Sequence, residues 1–264
     1  MTNLDGFQEE RFPKHREMLT TLSRLVPKHY MHGLFEMDVT KAREFIRVRK
    51  AAAGERLSFT GWLIKCIAQA INEYKHLQAY RRGKKLIIFD DVDVGFTMER
   101  EVEGERVVVG YIVRKANEKT FKEIHDEIRS AQHAVVEGTL VGSGEEGKMA
   151  SRMQSLPGPM RRLLLWWYKR NVFLQKKTQG TVGLTSVGMF GSIRGWPLVL
   201  GPYPVFFGIG GVELKPEYVD DHIEPREFLR MSVVIDHDVA DGADAARFVS
   251  RLSQLMQDGF GLEI

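Results

Sequence analysis

The chain has 264 residues, 43% of them hydrophobic and 28% charged, which is enough apolar mass for the core of one large domain or two small ones in a soluble globular class. A formal net charge of +3, without a zinc finger or other nucleic-acid motif, argues against nucleic acid as the main partner. The one cysteine, Cys66, excludes an internal disulfide framework and a Cys-rich metal site.

Residues 1–16 are polar and charged and lack the apolar centre of a secretory signal. The longest greasy run, Leu163-Leu164-Leu165-Trp166-Trp167-Tyr168, falls far short of the roughly 20 residues a bilayer span needs. The cytoplasm is therefore the default compartment. From Thr40 to Ala53, Ala42, Phe45, Ile46 and Val48 recur at helical spacing. Ser58 or Thr60 is placed to cap a second helix running to about residue 74, with Trp62, Leu63, Cys66, Ile67, Ala70 and Ile71 inward and Cys66 an inert core thiol. Residues 86–97 and 106–113 read as strands joined in a hairpin by the polar segment between them. Thr120-Phe121-Lys122-Glu123 fits a capping box that opens a helix toward residue 134.

Residues 136–179 read as an irregular middle containing the greasy run. Three strand-like pieces follow, at 180–186, 204–212 and 229–236, and a helix over 243–256 closes the chain. Helices and strands thus interleave, which predicts an α/β (α+β) two-layer sandwich with helices on a mixed sheet. Phe207-Gly208-Ile209-Gly210-Gly211 lacks the dinucleotide-binding spacing, so its glycines read as strand positions where another backbone comes close.

The chemistry concentrates in Asp236-His237-Asp238-Val239-Ala240-Asp241-Gly242, after the apolar run 231–235 and before the last helix. An imidazole at a strand end with a carboxylate fixed nearby is one way to build a general base. The plainer reading is that His237 and Asp241 merely cap a strand and a helix. Among the other histidines, His29 and His32 have no carboxylate at ligand spacing, and His76, His125, His133 and His222 sit among charges and read as solvated.

The pattern His-x-x-x-Asp-Gly resembles the signature of CoA-dependent acyltransferases, the group that contains chloramphenicol acetyltransferases and the catalytic domains of dihydrolipoyl acyltransferases. A second segment, Gly180-Thr181-Val182-Gly183-Leu184-Thr185-Ser186-Val187-Gly188-Met189-Phe190-Gly191, resembles the stretch Gly-Thr-Phe-Thr-Ile-Ser-Asn-Leu-Gly-Met-Phe-Gly of the latter enzymes. Thr185 takes the place of that stretch's serine, 52 positions before the histidine. Two further stretches match in order: Phe35-Glu36-Met37-Asp38-Val39-Thr40, and Val107-Val108-Val109-Gly110-Tyr111-Ile112-Val113 with the helix after it. The resemblance covers about 27–132 and 180–255.

This resemblance implies a chloramphenicol acetyltransferase-like fold over residues 27–264, preceded by an N-terminal segment 1–26 and interrupted by an irregular insertion at about 143–177. It implies CoA or acyl-CoA as substrate and an acyl group moved to a thiol, hydroxyl or amine. His237 would be the base, Thr185 the donor to the tetrahedral oxyanion, and Asp241 the anchor of the loop that orients His237, often through an arginine. Arg16 and Arg24 are candidates for that arginine. It also implies a homotrimer with the site between subunits, so that His237 and Thr185 of one chain lie far apart; assembly into something larger stays open. The lipoyl and partner-binding domains of the multidomain enzymes have no counterpart here, so no lipoyl arm is expected on this chain. The competing reading is a non-catalytic oligomeric scaffold that keeps the fold. Residues 160–173 are expected to pack against core or a neighbouring subunit, with membrane-surface contact the less favoured alternative.

Overall fold

The computed structural model describes residues 2–4, 7–9, 28–102, 105–133, 156, 158–188 and 194–262. A short ribbon, β1 (Thr2–Leu4) with β2 (Phe7–Glu9), comes first. Strand β3 (Tyr30–Asp38) then leads into helix α1 (Thr40–Ala53), where Asp38 Oδ1 accepts hydrogen bonds from Thr40 N and Oγ1 at 2.9 and 2.6 Å. Helix α2 (Phe59–Glu73) starts at Ser58, whose Oγ accepts from Gly61 N at 3.1 Å. A second ribbon, β4 (Tyr80–Arg82) with β5 (Lys85–Ile87), precedes the hairpin of β6 (Val94–Val102) and β7 (Glu105–Val113).

The stretch expected as one strand over 86–97 is therefore two strands in different sheets. Between them Asp93 leaves the strand path to accept from Lys115 N at 2.9 Å and from Arg114 at 3.1 Å, a tie that alternation of side chains does not announce. Helix α3 (Phe121–His133) opens with the predicted capping box: Thr120 N donates to Glu123 Oε2 at 2.7 Å, and Glu123 N donates to Thr120 Oγ1 at 3.2 Å.

The middle of the chain is more regular than the sequence suggests. Residues 143–155 lie outside the described set. From residue 158 onward the expected irregular insertion forms helices α4 (Gly158–Arg170) and α5 (Val172–Gln179), separated by Asn171, which caps α5 by accepting from Leu174 N at 3.0 Å. Three strands follow: β8 (Val182–Ser186), β9 (Val205–Val219) and β10 (His222–Asp236). The last two are longer than their apolar stretches, because Asp220 and Asp221, both at positive φ (45° and 65°), close a tight hairpin that carries pairing past the buried part. Pro216 and Pro225 face each other there. They lie beyond the reach of the flanking strands, since β8 pairs only to Ile209 and β3 only to Phe228, so their missing N–H groups leave no broken ladder. Helix α6 (Gly242–Asp258) ends the described fold.

The main sheet has six strands in the order β3-β10-β9-β8-β6-β7. β8 runs parallel to both neighbours and the other pairs are antiparallel, so the sheet is mixed as predicted. One face buries Met37, Phe96, Leu184, Phe207, Met231 and Val233 against a helix layer in which α2 is central, packed between α3 and α6. Trp62, Ile67 and Ile71 of α2 are fully buried there, with Phe121 of α3 and Phe248 of α6. Cys66 belongs to this core, and burial pushes its thiol pKa well above the ordinary value, as expected for an inert thiol.

The opposite face is closed in part by residues 194–204. A Cβ on Gly208 would stand 2.7 Å from Pro197 O, and one on Gly210 2.6 Å from Gly195 O. Glycine at these two strand positions is what lets that segment lie against the sheet, the close approach predicted for them. Among the described residues no helix is long and apolar enough to cross a membrane.

Candidate active site

Strand β10 ends at Asp236, which is buried and bonded on every side. Its N–H donates to Pro204 O at 2.8 Å, its Oδ2 takes Lys28 Nζ at 2.7 Å, and its Oδ1 accepts from Asp238 N at 3.2 Å. Val239 N closes the turn on Asp236 O at 3.0 Å. His237 rides on this turn. Its N–H donates to His29 O at 2.7 Å, so the main chain is pinned to the start of β3 while the imidazole stands exposed.

Asp241 has a separate local task. It is the N-cap of α6 and accepts from Ala243 N and Asp244 N, both at 2.9 Å. The hydrogen bond from Asp244 N leads the causes that hold its carboxyl below the usual carboxylate range, with that from Ala243 N next and the nearby Arg247 and His237 charges contributing less. The described hydrogen bonds of Asp241 are to backbone, and Arg16 and Arg24, named as candidates to bridge it, lie outside the described residues.

A second ring of charge around the turn was not legible from sequence spacing. Asp238 Oδ1 lies 3.2 Å from His29 Nδ1, and Arg81 of β4 donates to Asp238 Oδ2 at 3.0 Å. Burial works to raise the Asp238 carboxyl, yet the bonds from Arg81 and His29 prevail and hold it below its usual range. His29, Asp236 and Asp238 offer ligand atoms within 4.8 Å of one another. The expectation that His29 has no carboxylate within ligand reach is thus corrected: the two acids come from more than 200 positions away. Their charges are already matched by Lys28 and Arg81, so the cluster reads as an ion-pair network. A second correction concerns His125, which is buried and accepts from Ser58 N at 3.0 Å through Nδ1 where solvation was expected.

Thr185 is half-buried on the sheet face away from the helices, beside Thr97, with the two hydroxyl oxygens 3.4 Å apart. Register fixes its distance from the histidine. Thr185 pairs with Gly208 and Gly208 with Ser232, so His237 lies two strands over and five residues further along. At about 3.3 Å per residue and 4.8 Å per strand that is roughly 19 Å, too far for both side chains to reach one carbonyl. The described fold thus brings His237 and Asp241 to one corner and leaves Thr185 apart. Met189, Phe190 and Gly191 of the same sequence segment lie outside the described residues.

Comparison with known proteins places the chain in a family. The family described as 2-oxoacid dehydrogenases acyltransferase (catalytic domain) matches residues 15–148 and 168–261, and the chain belongs to it. The dihydrolipoyllysine-residue succinyltransferase component of the 2-oxoglutarate dehydrogenase complex of Staphylococcus saprophyticus is 24% identical over 242 residues, 91% of this chain and 47% of that protein. The lipoamide acyltransferase component of the branched-chain alpha-keto acid dehydrogenase complex of Bacillus subtilis is 23% identical over 85% of this chain and 46% of its own length. The chain therefore spans about half the length of the curated relatives it matches.

Among solved structures, a probable dihydrolipoamide acetyltransferase from Listeria monocytogenes superposes with a TM-score of 0.68 at 19% identity, over 97% of this chain and 96% of that one. The dihydrolipoamide acetyltransferase of Azotobacter vinelandii, studied for the catalytic role of a serine, a histidine and an asparagine, gives 0.66 at 20% identity over 100% and 99%. A chloramphenicol acetyltransferase gives 0.52 at 15% over 96% and 99%. The fold is the chloramphenicol acetyltransferase-like one that the sequence motifs implied.

Proposed function

We propose that this protein moves an acyl group between CoA and a thiol, hydroxyl or amine acceptor, with His237 as general base and Thr185 as oxyanion donor. The observation that carries the reading is one of spacing on a shared fold. In the Azotobacter enzyme the serine and histidine stand 52 positions apart and the histidine and asparagine four apart. Thr185, His237 and Asp241 repeat both intervals, with a hydroxyl, an imidazole and a helix-capping side chain in the same order. The pinned backbone and free ring of His237 suit a base that must meet a substrate proton without losing its orientation.

The His237 imidazole takes the proton of the acceptor, and the freed pair attacks the thioester carbonyl of acyl-CoA. The tetrahedral oxyanion accepts a hydrogen bond from Thr185 Oγ. Collapse breaks the carbon–sulfur bond, and the CoA thiolate takes the proton from the imidazolium. One such donor in a dry site contributes about 3 kcal/mol to the transition state. Asp241 serves by capping α6 and so setting the end of the His237 turn. Since the two reacting side chains of one chain are too far apart, the complete site requires His237 of one protomer and Thr185 of the next, which a cyclic homotrimer supplies. The proposed catalytic unit is residues 27–264.

The dihydrolipoyl acceptors named for the relatives are the first to assay, followed by small thiols, alcohols and amines. His237→Ala is expected to abolish CoA release from acetyl-CoA with the assembly intact. Thr185→Ala is expected to cut kcat roughly 100-fold with little change in KM. Full activity of His237→Ala sinks the reading, and a wild-type protein inert across the acyl-CoA and acceptor panel leaves the scaffold interpretation in its place.

A further inference from the structure

Helix α4 turns its apolar side outward. Met160, Leu163, Leu164 and Trp167 recur at the spacing of a single helical stripe, which ordinarily faces a core. In a single protomer the four are 53%, 66%, 37% and 49% exposed. The inner side of the helix is already satisfied. Leu165 is buried, Tyr168 Oη lies 2.8 Å from Thr178 Oγ1 and donates to Gln179 Oε1 at 3.0 Å, and Tyr168 O accepts from Gln175 Nε2 at 3.1 Å.

Phe173 of α5 continues the exposed apolar surface, and the β4–β5 ribbon flanks it with exposed Leu86 and Ile88 beside its end. Phe89 joins the two parts, touching Tyr80 and Phe173 edge-on at 6.1 and 5.9 Å between ring centres. Arg82 and Arg170 meet Trp167, Asn171, Val172 and Phe173 around a cavity of about 310 Å³. The family match omits residues 149–167, a stretch that includes most of α4.

Charge says what this surface fits. Residues 158–179 contain six basic side chains and no acidic one, and residues 80–88 contain four and none. No Asp or Glu occurs between Glu146 and Glu213. Without these ten cations the chain's acidic residues outnumber its basic ones. Among those cations whose side chains are described, Arg81 and Lys176 are drawn into ion pairs. A second copy docked through the same face about a two-fold axis would set cations against cations.

An apolar stripe carrying tryptophans, bordered by arginine and lysine, with no acid in α4, α5 or the β4–β5 ribbon and with Asp90 and Asp91 at its edge, matches an anionic bilayer: the stripe enters the acyl boundary and the cations meet headgroup phosphates. With 13 residues, about 20 Å long, α4 lies along such a surface and does not cross it. We propose that α4, α5 and the β4–β5 ribbon form a docking face for anionic lipid membranes, against the sequence expectation of core or subunit packing. This does not rest on acyl transfer.

The test is co-sedimentation of the full chain with vesicles of phosphatidylcholine alone and of phosphatidylcholine with phosphatidylglycerol, at rising salt. The protein is expected to pellet with the anionic vesicles only, and less so as salt rises. Leu163→Asp, and separately Arg82→Gln with Arg170→Gln, are expected to weaken binding at least about tenfold while thermal melts stay unchanged. Brominated lipid is expected to quench wild-type tryptophan fluorescence, a readout that needs no variant to fold. Absence of pelleting and of quenching overturns the proposal. So does undiminished binding by both variants. So does sedimentation velocity in which Leu163→Asp breaks an oligomer whose wild type ignores vesicles, since the face is then a contact between copies.

Discussion

His237 and Asp241 lie four residues apart and are held by different means, one through its main-chain N–H and the other through its side chain. That division makes Asp241 testable apart from chemistry. Asparagine keeps a capping oxygen and alanine does not, so Asp241→Ala is expected to lower the melting temperature at neutral pH and Asp241→Asn to change it little. The pH dependence has a definite sign. The folded carboxyl sits below the ordinary value of 3.8, so the unfolded chain takes its proton first as the solution is acidified. The stabilisation is complete above that ordinary value and is lost as pH falls through the lower folded one. Melting curves from about pH 5 to pH 2 are expected to show this loss in the wild type and a smaller one in Asp241→Asn.

At the scale of elements, α2 is the helix on which α1, α3 and α6 pack, and its N-terminus is joined to α3 through a titratable contact. Ser58 caps α2 with its hydroxyl and donates its N–H to His125 Nδ1, so that nitrogen must stay unprotonated. Burial, followed by the nearby Arg129 charge, holds the ring's pKa below the ordinary 6.5. Above 6.5 folded and unfolded rings are both neutral. As pH falls through 6.5 the unfolded ring takes a proton that the folded one resists, and stability declines toward the folded value. Calorimetry between about pH 7 and pH 5 is expected to show a falling melting temperature, flattened in His125→Gln. Urea unfolding of Ser58→Ala is expected to cost about 1 kcal/mol, the usual value of a lost cap.

Over the whole molecule, the geometry of the sheet makes one chain insufficient for the proposed reaction. Two strand spacings and five residues of β10 keep Thr185 from His237, and no side-chain motion within a packed sheet closes that gap. Subunits lacking either group are therefore expected to complement each other. Equal mixing of His237→Ala and Thr185→Ala protomers, dissociated and reassembled, should restore about one quarter of wild-type turnover, because a quarter of the interfaces in a random cyclic assembly unite an intact imidazole with an intact hydroxyl. Reassembled mixtures no more active than either parent would show that the two residues do not share a site.

Local chemistry determined much of this protein from sequence. Helical periodicity marked α1, α2 and α6, the Thr120–Glu123 pair marked the start of α3, and the strand-end histidine with its acid marked the corner where the proposed chemistry sits. Each is encoded by neighbours within a turn or two, so spacing alone displays it. What spacing could not display depends on residues remote along the chain. Arg81 and His29 grip Asp238 from more than 150 positions away, Asp93 splits one expected strand into two by meeting Arg114 and Lys115, and His125 is buried because α3 packs on the start of α2. Whether the stripe of α4 faces core or solvent is likewise set by which side of the helix its neighbours already occupy, and that is a property of the packed molecule, absent from any pattern along the chain.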